Sequence, residues 1–599
     1  MGDLFVNTII RGPGGKEVQV KTGLQLLREE AESRSFAKWC EQAGLRAEDV
    51  ERVARDLTSH GKHAGVDIHR GPAQHTDGFY AVLAWMSINM MLGNFDWKGG
   101  MSKGATYGYD GSKGGPFDLT KMSGKVTPFG VSIIRHDVAY EKSTLFKGYP
   151  AKRNWYPLAS DVYQEIYPSI GEAYPYPVKA LFLYMGTPAY ALPAGHTNIE
   201  VLTDVEKLPL FFASDVTVGT SSMYADYIFP DLSWLERWEY QGTHPNMINK
   251  VQPVRQPAVA PIPETVTVYG EGVPISMESL LMGLAEKLGL KVFGPNALGA
   301  GLDLTRPDDF YVRGVANLAA GEKPGAEVPD ADAREMEVFL AARRHLPKTV
   351  FDADRWRAMV GDALWPKVVY VLNRGGRFEE HGKGLDGDRL RNRYAALLNL
   401  YQEKTAGYKY AGTGKSYPGY AKYLGQRTFT GQTLEALGEG FELSLITHRT
   451  VSATKSRTIG NYWLQPLMPE NGFILNPVDA RRLGLRSGDR VRVESATNQD
   501  GVWDLRNGTK KPMVGKVMVT ETIRPGVVSF ALGWGHWATG AEDITIDGER
   551  VKGDPRRAAG VHANAAMWTD AGFRNNTCLV DPVGGSVSFY DTKVRLVKV

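Results

Sequence analysis

VKALFLYMGTP (residues 178–188) and LPLFFASD (208–215) decide the fold class. Each is a nearly continuous apolar run of strand length, the pattern of a strand buried on both faces of a parallel sheet. The first stops at the turn Gly186, Thr187, Pro188, and the second at Asp215, after which ThrSerSer (220–222) opens a short element. Buried strands spaced this way predict an α/β chain with a doubly wound sheet. Such sheets place ligands outside the carboxyl ends of their strands. On the residues alone both ends stay open. GlyThrPro is a tight turn or a phosphate or base contact. Asp215 caps the next turn or offers two oxygens to adjacent N–H donors such as those of guanine.

Upstream, Thr22-x-x-Gln25 reads as a capping box before LeuGlnLeuLeu. A helix beginning near Ala47 carries Val50, Val53, Ala54 and Leu57 as one apolar stripe, and Gly61 ends it. Ala64 to Ile68 reads as a short buried strand, followed by the loop 69–75 and an apolar helix over 78–92. That helix holds Ser87 and Asn89 and is shorter than the ~20 residues a bilayer span needs, so it predicts a buried helix. The N-terminus lacks a basic region followed by an apolar one and lacks a twin-arginine pair.

Downstream of Asn94, glycine- and aromatic-rich text with poor periodicity runs to Pro177 and predicts long irregular loops over a scaffold. A charged, Ala-rich stretch (331–345) reads as helix and precedes ValValTyrValLeu (368–372). Near Glu439 the character changes to β. Asn476, Pro477 and Gly484 are the cap, first-turn and stop residues of a short helix. ArgValArgVal (490–493) and LysValMetVal (516–519) alternate in strand period between turns ArgSerGlyAsp and IleArgProGly, which predicts a barrel-like terminal domain.

The 599 residues imply two to four domains, and 43% hydrophobic with 23% charged residues is ordinary globular composition. Lys+Arg 70 against Asp+Glu 67 argues against a dedicated nucleic-acid binder. Two cysteines, Cys40 and Cys578, exclude a disulfide framework or a cysteine-held cluster within these residues, and both read as buried small hydrophobes. There is no P-loop and no G-x-G-x-x-G fingerprint, so a simple ATP or NAD enzyme is disfavoured. His60, His63, His69 and His75 lack carboxylate or thiolate companions at ligand spacing, which argues against zinc. Arg70 and His75 share a Gly-bearing loop, where an Arg fork can bind anionic oxygens and His can exchange protons. ThrHisArgThrValSerAlaThrLysSerArgThr (447–458) is either a solvated loop or an anion clamp.

Three segments together resemble the molybdopterin oxidoreductases of the dimethyl sulfoxide reductase family. They are residues 210–230 with LeuGlu at 235–236, residues 474–493 continued by IleArgProGlyValVal (523–528), and HisArgGlyProAlaGlnHisThrAspGly (69–78) with GlyAsnPheAspTrpLysGlyGly (93–100). The 69–76 loop, GluArgTrpGlu (236–239) and AspProValGlyGlySerValSerPheTyrAspThr (581–592) resemble the branch acting on sulfur oxyanions: tetrathionate reductase, sulfite dehydrogenase, thiosulfate reductase. Respiratory arsenate and arsenite enzymes are near neighbours. The resemblance implies doubly wound pterin-binding domains followed by a β-barrel-like dinucleotide-binding domain. Its divisions are the end of one pterin-binding domain (1–100), a second with long insertions (101–440), and the dinucleotide-binding barrel (441–599).

It further implies a Mo-bis(molybdopterin guanine dinucleotide) cofactor performing two-electron redox on a small oxyanion. Gly71, Gly186, Thr187 and Asp215 fall at cofactor-lining positions. So do His448, Arg449, Thr450, Ser452 and Thr454, then Asn476 and Asp479, then Asn575 and Asn576. Arg70 and His75 fall nearest the metal as the catalytic pair, Arg70 holding oxyanion charge and His75 bonding a pterin or moving a proton. Implied partners are a quinone-linked membrane anchor and a ferredoxin-like iron–sulfur subunit, with no nucleic acid and no membrane span of this chain. The location is periplasmic for a tetrathionate reductase-like enzyme and the cytoplasmic face for a sulfite dehydrogenase-like one.

The family's N-terminal cysteines for a [4Fe–4S] cluster and its molybdenum-ligating residue have no counterpart here, so no residue is assigned as metal ligand. Met1 then falls inside a pterin-binding domain, as an internal start or with a separate polypeptide supplying the remainder. The competing readings are a non-catalytic cofactor-holding remnant and a GTP- or nucleotide-sugar-binding protein.

Overall fold

The computed structural model describes residues 2–244, 246–261, 264–394 and 397–599. The chain opens on an exposed hairpin, β1 (Asn7–Arg11) against β2 (Glu17–Lys21), then α1 (Gly23–Glu32), α2 (Phe36–Ala43) and α3 (Ala47–Ser59). Thr22 caps α1 by accepting from the Gln25 N–H, but the Gln25 side chain turns to Glu29 (2.9 Å), so only half of the capping box forms. The stripe of α3 is not core: no residue of the helix is buried, and Val53 is 60% exposed. Cys40 lies inside α2, buried.

Residues 64–68 do not form a strand. Their backbone is satisfied by side chains: Asn89 accepts from the Val66 N–H (2.9 Å) and donates to its carbonyl (2.8 Å), while Asn94 donates to the Ala64 carbonyl (2.7 Å). An amide side chain carries both a donor and an acceptor, so it stands in for the missing ladder neighbour. Asn89 comes from α4 (Gly78–Leu92), the apolar helix the sequence predicts.

The parallel sheet comprises β3 (Leu181–Tyr184), β4 (Phe211–Asp215) and β5 (Tyr227–Pro230), with Tyr184 paired to Ser214 and Asp215 to Pro230. Strand order follows sequence order, so the sheet lacks the reversal that makes a doubly wound fold. Both connections carry the chain onward to a new edge strand. ValValTyrValLeu (368–372) lies within the helix Trp365–Asn373, part of a buried helical cluster with Pro307–Ala320.

The C-terminal region closes a six-stranded barrel in the order Leu443–His448, Val527–Ala531, Gly472–Leu475, Val514–Val519, Arg490–Ser495, Lys593–Lys598. Its alternating apolar residues, among them Leu445, Phe473, Val491, Val493, Val517 and Phe530, fill the interior. Asn476 caps the helix Pro477–Arg482, and Gly484 adopts φ 66° just beyond it. Ala189, Tyr190 and Ile199, which follow β3, belong to the same apolar cluster as the barrel interior. That shared core fixes the carboxyl edge of the sheet against the barrel. Tyr190 lies between His536 and His562, with ring centroids 4.1 and 3.8 Å away. None of the described helices is long and apolar enough to cross a membrane.

Candidate functional site

Because β3 and β4 run parallel, their carboxyl ends open on one edge. There a cleft of about 650 Å³ separates the sheet from the barrel loop that follows His448. Just past β3, Met185 is held at φ 51°, and with Gly186 and Thr187 it lines the cleft. Asp215 ends β4 beside them. Its Oδ1 accepts from the Val216 N–H (2.9 Å) and its Oδ2 from the Ser222 hydroxyl (2.7 Å). Burial raises the Asp215 pKa, opposed by the Ser222 bond and by backbone N–H groups.

The facing wall is cationic. Arg449, Lys455, Arg457 and Arg557 line the cleft, and none of them forms an ion pair among the described residues. Arg237 and Arg255 also line it, the first paired with Asp231 and Glu278 at 3.2 Å and the second with Glu239. Burial lowers the Lys455 pKa, and the charges of Arg449 and then Arg70 lower it further. Arg70, exposed on its loop, therefore acts on the same electropositive region as Arg449 and Lys455. Several buried polar atoms of the lining have no partner among the described residues: the Ser214 hydroxyl and the Nε atoms of Arg237 and Arg255; the Thr450 hydroxyl, next in sequence to Arg449, has none either. Buried polar groups in folded proteins are nearly always bonded.

The loop bearing Arg70, Gly71 and His75 is held by two buried aspartates from the C-terminal segment. Asp591 pairs with His75 Nδ1 (2.6 Å) and accepts from the Thr76 N–H (2.7 Å), and Asp581 accepts from the Phe79 N–H (3.0 Å).

The remaining predicted positions are dispersed. Thr454 lines the cleft and donates its N–H to the Thr458 hydroxyl (2.8 Å). His448 pairs with the Ser529 hydroxyl (2.7 Å), and burial lowers its pKa. Ser452 sits in a narrow crevice with Gly533 and Trp534. Asn476 and Asp479 do not line the cleft; their side chains serve the barrel. Asn476 accepts from the Val478 N–H and donates to the Ile523 carbonyl. Asp479 accepts from the Gly526 N–H (2.7 Å) and pairs with Arg482. Asn575 accepts from the Thr569 hydroxyl. Asn576 joins a buried network in which Arg153 and Arg135 share Glu165.

Lys455 and Arg457 lie within the polar 447–458 stretch that the sequence marks, though nothing local distinguishes them there as cleft cations. Asp581 and Asp591 lie in the 581–592 segment, where the sequence assigns neither a role. Ser214 and Arg237 lie in segments quoted from the sequence (210–230 and 236–239) that assign neither a role, and Arg255 and Arg557 carry no local signal.

Residues 443–571 match the molydopterin dinucleotide binding domain family. The whole chain is 44% identical to a selenate reductase subunit of Mesobacillus selenatarsenatis, covering 57% of that protein. Over 95% of its length it is 32% identical to a tetrathionate reductase subunit of Salmonella typhimurium, covering 54% of it. The chain thus spans about half the length of the curated relatives it matches. Among solved structures, the acetylene hydratase from Pelobacter acetylenicus aligns over 96% of this chain and 66% of its own, with a TM-score of 0.53 at 14% identity, a likeness of fold. The comparisons thus show a molydopterin dinucleotide binding domain over residues 443–571 and similarity along nearly the whole chain to a subunit of a selenate reductase and one of a tetrathionate reductase. They do not single out the sulfur-oxyanion branch, since the selenate reductase shares more identity with this chain than the tetrathionate reductase does.

Proposed function

We propose that this chain is a portion of the catalytic subunit of a molybdenum oxidoreductase that carries out two-electron redox on a group-16 oxyanion. Tetrathionate, sulfite and thiosulfate are the sulfur candidates, and the 44% identity to a selenate reductase puts selenate beside them. The observation that carries the reading is the cleft. A parallel-sheet edge and a barrel loop enclose four cations without carboxylate partners among the described residues, next to buried polar atoms that likewise lack partners.

These residues fit a pyrophosphate-bridged guanine dinucleotide. Arg449, Lys455, Arg457 and Arg557 would hold phosphate oxygens, and Thr454 would add a hydroxyl. Asp215 would accept from the guanine N–H groups, with Ser214 and Thr187 beside it. When bound, the group supplies a metal that takes or gives two electrons at an oxygen of the substrate. This chain's own part is to bind and orient. Arg70 would hold substrate charge in a region already made positive by Arg449 and Lys455, and His75 would hold or move a proton. In this reading electrons pass to or from a quinone-linked membrane anchor through a ferredoxin-like iron–sulfur subunit. In this reading a [4Fe–4S] region is supplied by sequence outside these residues; the match leaves part of each relative uncovered.

The test is molybdenum and guanine nucleotide content by elemental analysis and nucleotide release. The chain would be produced in a cofactor-making host, alone and together with a polypeptide supplying the region the relatives carry beyond the matched span. Metal and nucleotide on co-production, followed by turnover of selenate, tetrathionate or sulfite, support the reading. No metal in either preparation would leave a cofactor-free remnant instead.

A further inference from the structure

His75 and Asp591 are 516 residues apart in the chain, and the tertiary structure closes them to 2.6 Å. The Asp591 side chain is fully buried, whereas that of His75 keeps 29% of its surface exposed. Asp591 has little freedom to choose its partners. Its Oδ2 accepts from the Thr76 backbone N–H at 2.7 Å and from the Ser588 hydroxyl at 2.8 Å. Those bonds fix the plane of the carboxylate and aim Oδ1 at His75 Nδ1. The Asp581 bond to the Phe79 N–H holds the other side of the same loop.

A carboxylate held this way accepts and does not donate, so the ring nitrogen facing it must carry hydrogen. Gln426 Nε2, 3.4 Å from the same nitrogen, is too distant to compete. The neutral imidazole is therefore fixed with hydrogen on Nδ1 and a lone pair on Nε2. The imidazolium carries its second, exchangeable proton on Nε2.

The other groups facing the ring are Asp77 on the same loop and the Tyr590 ring, 5.8 Å between centroids. Burial pulls the His75 pKa down. The bond to Asp591, its charge and that of Asp77 outweigh burial and leave it raised.

We propose that Asp591 is a positioning residue which sets the tautomer of His75, so that Nε2 is the nitrogen exchanging a proton with an oxyanion oxygen held beside Arg70. This deepens the oxyanion reading above and rests on it. In the transfer the Nε2–H bond breaks, an O–H bond forms on the substrate oxygen, and the neutral ring remains with its Nδ1–H on Asp591. Solvent returns the proton to Nε2 through the exposed part of the ring. No electron moves in this step.

The test reads His75 directly and needs no loaded cofactor: C2-hydrogen exchange of histidines in deuterium oxide, followed by mass spectrometry across pH on the full chain. Tryptic cleavage after Arg70 and Lys98 gives a peptide, residues 71–98, in which His75 is the sole histidine. The wild-type His75 midpoint is expected above 6.5, the ordinary value. Asp591→Asn should lower it by about one pH unit or more, a tenfold change in proton affinity. Ser588→Ala, which keeps the carboxylate but frees its plane, should lower it by less. A wild-type midpoint at or below 6.5 overturns the proposal, and so does an Asp591→Asn protein that melts like wild type and leaves the midpoint in place. If Asp591→Asn fails to fold, the wild-type midpoint and the Ser588→Ala shift decide it. Because these readings are independent of molybdenum, they can fail while the oxyanion assignment stands, and the converse also holds.

Discussion

Replacing Glu165 by glutamine deletes the one carboxylate that two buried guanidinium groups share. Glu165 Oε2 accepts from Arg135 Nη2 at 2.6 Å and from Arg153 Nε at 2.9 Å, and its Oε1 from Arg153 Nη2 at 3.1 Å. All three side chains are fully buried. Arg153 would retain Glu172 at 3.1 Å, but Arg135 has no second carboxylate within ion-pair distance among the described residues. Its remaining partners are neutral: the Asn154 and Ile133 carbonyls and the Ser169 hydroxyl. Stranding a buried charge in this way costs about 3–5 kcal/mol. Since one of the two arginines keeps a counter-charge, the lower end, about 3 kcal/mol, is expected.

Urea m-values of roughly 1–3 kcal/mol/M hold for small proteins and rise with size, so the unfolding midpoint of this chain should fall by about 1 M or somewhat less, read by tryptophan fluorescence at pH 7. Trp155, buried beside this network, reports on it. Asp362→Asn, breaking the exposed Arg357–Asp362 pair, should cost less than about 1 kcal/mol and serves as control. A Glu165→Gln midpoint shift no larger than that of the control would refute the reasoning. Burial pushes the Glu165 pKa up, and Arg153 and Arg135 pull it further down, so it ends lowered. The contribution of Glu165 is thus present above its ordinary carboxyl range and is lost as pH falls through the lowered pKa. Arg153 also reaches Asn576, so the same substitution should loosen the segment carrying Asn575 and Asn576.

Asp581 has the opposite sign. Burial raises its pKa from 3.8 to about 6 against the N–H groups of Gly584, Phe79 and Val583. The folded chain then binds more protons than the unfolded one between those values, and stability falls by about 3 kcal/mol as pH rises through that window. Asp581→Asn should flatten that slope in urea titrations from pH 4 to 7. Arg70→Ala should lower kcat/KM for the oxyanion about 10- to 100-fold in the metal-loaded protein, the worth of one charge-assisted hydrogen bond. Unchanged turnover and affinity would remove Arg70 from the site.

The sequence alone determined the local elements wherever pattern and neighbours agree. β3 and β4 are apolar runs closed by Gly186 and by Asp215, and the barrel strands alternate between turns whose residues permit few conformations. Asn476, Pro477 and Gly484 spell the ends of a helix. In each case the physics is local, since burial period, turn chemistry and capping act within a few residues.

Tertiary structure decided the rest. Residues 64–68 read as a strand because hydropathy cannot tell whether a neighbouring strand exists, and here Asn89 and Asn94 take its place. The stripe of α3 records amphipathicity, which says nothing about whether a partner is present to cover it. Asn476 and Asp479 sit where the family resemblance implies dinucleotide contacts, yet their oxygens face Val478, Gly526 and Arg482. The cleft itself is assembled from β3, β4 and a barrel loop more than two hundred residues later, and the pairing of His75 with Asp591 joins nearly the two ends of the chain. Contacts at such separations are set by how the sheet and barrel share one core, a property of packing that no local pattern of residues encodes.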